Sequence, residues 1–435
     1  MTTIDSSAPA TSKSTVSFWL VACVFFLSGA SSLIYEVVWT RQLTTFFGST
    51  LYGVTSVVTS FMGGLALGSF LAGKRADKVA RPLFTYGCIE IIIAVCALVF
   101  PFLLKATQPI VGSVYATGGG GSFYLYSLVR FVLVFLLLIV PTTLMGATLP
   151  LITKAVTTQF SHVGRCIGRL YAINTAGAVA GVFCAGFFLL ENLGIFGTTL
   201  VAVALNVLIG LVACTFGAKA TVTDGGIAAH PEERDESAAD PLPPSTAKLI
   251  VATYALAGFT SLAYQVCWTR AMIFGFDSLK STTYSFSGML VVFLVGLALG
   301  SAIMQRIVDA KEDLLRLYAW LMAGVGVFGG FSFFVILAPL APLQELDEQR
   351  ALIYWNAVAS VMYKTAAAIG LPTLLMGMMF PVVAKLAVRS LRVVGADVGR
   401  VYAANTVGAI LGSFAAGFIL IPLLGITKLI ALLSA

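Results

Sequence analysis

The sequence predicts an all-α polytopic membrane protein. Three observations carry that reading: the chain is poor in charge, its apolar runs are long enough to cross a bilayer, and its first half returns in its second. Hydrophobic residues make up 59% and charged residues only 10%, and the mean hydropathy is +0.97. A soluble domain carries about 25% charged residues. A surface so short of charge is at home in lipid, where apolar side chains face the solvent. The 42 glycines agree, because membrane helices use small residues to approach one another closely.

Crossing about 30 Å of hydrocarbon takes roughly 20 helical residues. Twelve spans are expected, at 17–47, 51–73, 83–105, 123–152, 168–190, 194–216, 249–275, 282–304, 315–340, 353–382, 399–421 and 424–435. The last is cut short at Ala435, and a continuation is expected. The head, residues 1–16, is polar, and the first apolar run is too long for the apolar core of a signal peptide, so it reads as an uncleaved helix.

The repeat follows from four blocks in constant order. Ser28–Arg41, SGASSLIYEVVWTR, returns as AGFTSLAYQVCWTR at Ala257–Arg270, an offset of 229. GLALGS at Gly64–Ser69 returns unchanged at Gly296–Ser301, an offset of 232. PTTLMGATLP at Pro141–Pro150 and GRLYAINTAGAVAG at Gly168–Gly181 return at Pro372–Pro381 and Gly399–Gly412, both offset by 231. The chain therefore divides into a first unit, 17–216, and a second, 249–435, joined by the polar, acidic, Pro-containing segment 217–248. Six spans per unit return the chain to the same side. The repeats are expected to be parallel, related by an axis along the membrane normal, as in the halves of major-facilitator transporters.

Basic residues set the expected orientation. Lys74, Arg75, Lys78 and Arg81 follow span 2, and Lys154, Arg165 and Arg169 follow span 4. Arg306, Lys311 and Arg316, then Lys385, Arg389, Arg392 and Arg400, repeat the pattern. The opposite loops are poor in base, so the N-terminus and the linker are expected in the cytoplasm. The net charge of +7 is thereby a topology signal spread over short loops, and a nucleic-acid partner is not expected. The seven cysteines form no C-x-x-C pair, and only two histidines are present, so neither a metal site nor a cofactor is expected. The four glycines at 118–121 lack the strand and helix of a nucleotide fingerprint and read as an external loop.

Candidate binding residues are polar or aromatic positions inside the spans. Tyr35 and Trp39 share a helix face, as do Tyr264 and Trp268. Glu36 lies within the first span, with Gln265 at the matching place in the second unit. An ionisable side chain at that depth is a functional candidate; its alternative is a structural partner of a base or of hydroxyls. Glu90, alone in YGCIEIIIAVCALVF, carries the same two readings, and its counterpart is near Met322. Asn174 and Asn405 either tie helices together or meet a polar substrate. Pro141 and Pro372 remove backbone donors inside spans 4 and 10, giving either gating hinges or passive kinks. The G-x-x-x-G pairs Gly64/Gly68, Gly177/Gly181, Gly296/Gly300 and Gly408/Gly412 read as packing faces.

FLSGASSLIYEVVWTRQL, GGLALGSFLAGKRADK, PTTLMGATLPL and GRLYAINTAGAVAG resemble the membrane region of the fused major-facilitator/spermidine-synthase-like proteins of bacteria. The resemblance covers nearly everything outside head and linker. It implies a bacterial inner-membrane location and a major-facilitator-like fold. It also implies an association with a cytosolic aminopropyltransferase-like domain, which is not visible in these residues. Two functions follow. One is transport of a small polar or cationic, polyamine-like metabolite between the halves. The other is a membrane module that anchors or feeds an aminopropyltransferase-like domain. An enzyme within the bilayer is a third class, without a nucleophile–base pair in its favour.

Overall fold

The structure, a computed structural model, describes residues 18–48, 50–75, 78–116, 123–157, 163–219, 244–275, 282–308, 313–338, 350–387 and 394–435. The head, most of the linker and the four-glycine run lie outside them. The described residues are built from helices: α1 (Phe18–Phe47), α2 (Thr50–Gly73), α3 (Pro82–Ala106), α4 (Gln108–Ala116), α5 (Phe123–Thr157), α6 (Val163–Cys184) and α7 (Leu190–Lys219), then α8 (Pro244–Gly275), α9 (Thr282–Ile307), α10 (Leu314–Leu337), α11 (Arg350–Ala387), α12 (Val394–Ala415) and α13 (Ile421–Ser434). Short π-helical segments, Ala185–Leu189 and Ala416–Leu420, follow α6 and α12.

Local sequence explains several ends. Pro82 opens α3, where its missing N–H costs nothing. The Asp313 carboxylate caps α10 by accepting from the Arg316 N–H at 3.0 Å. The helices overrun the expected spans by up to about five residues at several ends, as α5 does at Thr157 and α11 at Ala387. A short helix, α4, occupies part of what read as a loop after span 3, and α8 starts at Pro244, inside the segment read as linker.

Among the described residues, ten runs are long and apolar enough to cross a membrane. Two of them, Arg169–Ala218 and Val401–Ser434, are broken at Gly194 and Gly425, with φ of 65° and 74°. That backbone favours glycine, since a Cβ would crowd the following carbonyl. A straight helix of 50 residues would measure about 75 Å, far more than the ~30 Å of hydrocarbon. Both α6 and α7 pack on α1, so the segments before and after Gly194 lie against the same helix. α12 and α13 pack on α8 in the same way.

The pairing of helices is the same in the two halves. α2 packs on α5 and α9 on α11; α3 packs on α7 and α5, and α10 on α13 and α11. Glycines make this closeness possible. A methyl at Gly177 would overlap the Phe26 carbonyl, and one at Gly408 the Ala255 carbonyl. Gly64 and Gly296 lie against the side chains of Thr142 and Thr373. The outer surface is apolar: Phe331 and Phe334 on α10 are 60% and 69% exposed. Such a surface is stable in a lipid bilayer and a liability in water.

Candidate functional site

The two aromatic pairs fold alike. Tyr35 stacks on Trp39 with ring centroids 5.4 Å apart, and Tyr264 on Trp268 at 5.0 Å. All four side chains are buried. They face helices of their own half. Trp39 meets Phe100 of α3, and the Trp268 indole N–H donates to Ser332 Oγ of α10 at 2.7 Å. The Tyr264 hydroxyl bonds Ser434 Oγ at 2.8 Å, whereas the Tyr35 hydroxyl has no hydrogen-bond partner among the described residues.

Glu36 and Gln265 sit one residue further round their helices, so they face differently. Thr269, one turn past Gln265, lines a groove between α8 and α2 together with Val266, Arg270, Leu51 and Val54. Gln265 thus lies on the side of α8 turned towards the first half. α1 touches α9 in the reciprocal contact, and Glu36 holds the matching position on α1. Glu36 is 1% exposed, and its Oε1 has no hydrogen-bond partner among the described residues. An unsatisfied buried polar group costs about 1–3 kcal/mol, and a charged one more.

Glu90 has a different setting. It is fully buried in α3, between α1 and α7. Ser28 Oγ donates to its Oε1 at 2.6 Å, and Asn206 Nδ2 to its Oε2 at 2.8 Å. It therefore joins three helices of one half and does not share the position of Glu36.

The seam between the halves pairs α2 with α12 and α9 with α6, and both π segments lie on it. Gly186 abuts the Ser287 side chain, and Gly417 abuts that of Thr55. Thr59 and Ser413 share a hydrogen bond of 2.9 Å. Tyr284 stacks on Phe187 and donates to Glu191 Oε2 at 3.0 Å. Phe188 meets Trp355, and Phe131 meets Phe414 and Phe418. These contacts cluster at the end of the bundle where α1 finishes and α2 begins. Towards the other end, Tyr171 of α6 and Tyr402 of α12 are within electrostatic reach of each other, yet 56% and 52% exposed. Buried hydroxyls of Thr55, Ser56, Ser60, Ser285 and Ser287 have no hydrogen-bond partner among the described residues.

Asn174 and Asn405 tie helices together. Their Nδ2 atoms donate to the Phe25 and Tyr254 carbonyls, both at 3.0 Å, where Gly29 and Gly258 abut them. α5 and α11 continue through Pro141 and Pro372. The hydroxyl of the next residue, Thr142 or Thr373, donates to the carbonyl four residues back, at 2.6 and 2.8 Å. Three features escaped the sequence reading: the π segments, Asn206, and Lys364, a base buried in α11. Lys364 was findable by the test that singled out the two acids, namely an ionisable residue within an apolar run. No protein-family description and no curated protein matches this chain.

Proposed function

We propose that the chain is a transporter of a small polar or cationic metabolite, polyamine-like in chemistry, whose pathway runs between two parallel six-helix units. In this reading the breaks at Gly194 and Gly425 separate spans, giving twelve spans in a major-facilitator-like arrangement. The excess of Lys and Arg in the loops supports a cytoplasmic N-terminus, and the family resemblance supports a bacterial inner membrane.

One observation carries the proposal. Glu36 is a buried carboxylate on α1, a helix that touches α9 of the second half, with an oxygen that has no hydrogen-bond partner among the described residues. A substrate ammonium would supply the missing charge and donors in one step. The seam supports the same reading. Ring and hydroxyl contacts close it at one end, while Tyr171 and Tyr402, within electrostatic reach of each other, are half-exposed near the other, as expected of an opening between the halves. Unpartnered hydroxyls on α2 and α9 offer further polar contacts along the route.

The test is uptake of radiolabelled putrescine and spermidine by vesicles reconstituted with the purified chain. Uptake above protein-free vesicles is expected, and Glu36→Gln should abolish it while leaving thermal stability unchanged. Gln keeps the shape and hydrogen bonding but cannot ionise. Uptake that survives in Glu36→Gln would remove Glu36 from the pathway. No uptake of either amine would favour the anchoring module for an aminopropyltransferase-like domain.

A further inference from the structure

The geometry points to a sodium site inside the first half, formed by Glu90, Ser28, Asn206 and Tyr35 and separate from the pathway between the halves. Its starting point is a carboxyl group about 12 Å along α3 from Pro82, fully buried. Ser28 and Asn206 hydrogen-bond it, the Tyr86 hydroxyl lies within electrostatic reach, and no Lys or Arg side chain among the described residues bears on it. An ionised carboxylate in such surroundings needs a compensating positive charge.

The oxygens to hold one are in place on three helices. Ser28 Oγ of α1 is 2.6 Å from Glu90 Oε1, and the Asn206 amide of α7 is 2.8 Å from Oε2. The Tyr35 hydroxyl is an electrostatic neighbour of Glu90. Two acceptors here are unused: Asn206 Oδ1 and the Tyr35 hydroxyl are buried without a hydrogen-bond partner among the described residues. Turning the Asn206 amide half a turn exchanges Nδ2 for Oδ1 at the carboxylate without changing the shape of the side chain. The result is a set of hard oxygen donors with a single negative charge. One monovalent cation neutralises it, whereas a divalent ion would leave a buried surplus.

The second half acts as an internal control. By the repeat offsets, Ser28 corresponds to Ala257 and Glu90 to Met322. There the hydroxyl of Tyr264 is satisfied by Ser434. The place equivalent to Ser434 in the first half is Val203, so the Tyr35 hydroxyl is left without that partner, within electrostatic reach of Glu90. Tyr86 of α3 and Cys96, beside Tyr35, are the other titratable groups facing the cluster.

The experiment is thermal unfolding of the purified full-length chain in sodium chloride and in N-methylglucamine chloride at equal ionic strength. It needs no substrate, so it stands or falls apart from the transport reading. With sodium at about ten times its Kd, the unfolding midpoint should rise by about 1–2 °C over the N-methylglucamine value. Glu90→Gln should abolish the difference, and Tyr35→Phe should reduce it. If Glu90→Gln does not fold, Tyr35→Phe decides alone, because its hydroxyl has no hydrogen bond to lose in the empty site. Equal midpoints in the two salts overturn the proposal, and so does a sodium shift undiminished in both variants. Stabilisation by acid without any sodium effect would assign the site to a proton and likewise overturn it.

Discussion

The two halves share their packing devices and differ in their polar chemistry. Asn174 and Asn405 make the same bond to the same place on the facing helix, and Gly177 and Gly408 meet the same kind of carbonyl. The π segments and the broken Gly194 and Gly425 also recur. Yet Glu36 corresponds to Gln265 in the repeat, and Glu90 to Met322. Backbone-to-backbone packing tolerates little change, because a single added methyl collides with a carbonyl. Side chains that only fill space between helices can exchange a carboxylate for a thioether, provided the partner residues change with them. The duplicated features therefore report the fold, and the unduplicated ones are where chemistry specific to this chain is to be sought.

The largest expected effect tests the sameness. Gly177→Leu and Gly408→Leu each force a side chain into a facing backbone carbonyl. Both should cost about 3 kcal/mol or more, at the upper end for overpacking. Unfolding midpoints in detergent and recovery of monodisperse protein measure it. A large loss in one half with none in the other would break the equivalence.

A smaller effect tests the difference. Asn206→Leu leaves Glu90 Oε2 without its donor, which should cost about 2–3 kcal/mol. Met322→Leu, at the place matching Glu90, conserves volume and should cost less than about 1.5 kcal/mol. Equal costs at the two positions would show that the Glu90 cluster is no more demanding than ordinary apolar packing.

Much of this was legible in the sequence, and the misses have physical causes. Apolar run length located the helices, since hydrocarbon thickness fixes how many residues must be apolar. G-x-x-x-G spacing located close contacts, because it places two missing side chains on one face. Periodicity put Tyr35 and Trp39 on a common face but could not say that the face meets Phe100, since that depends on how α1 is rotated in the bundle. The partner of Glu90 depended similarly on the register of α7. AGFFL and AGFIL carry no compositional mark of a π turn, which differs from α only in hydrogen-bond register.

The central claim is that substrate passes between the halves, which must then part along the seam. Thr59 and Ser413 touch across it at 2.9 Å, so cysteines there can be joined. The background should carry serine at Cys88 and Cys214, whose sulfurs are 3.9 Å apart and could cross-link by themselves. In vesicles of Thr59→Cys/Ser413→Cys, oxidation should abolish amine uptake, and a reducing agent should restore it. Full uptake by the quantitatively cross-linked protein would contradict a pathway between the halves.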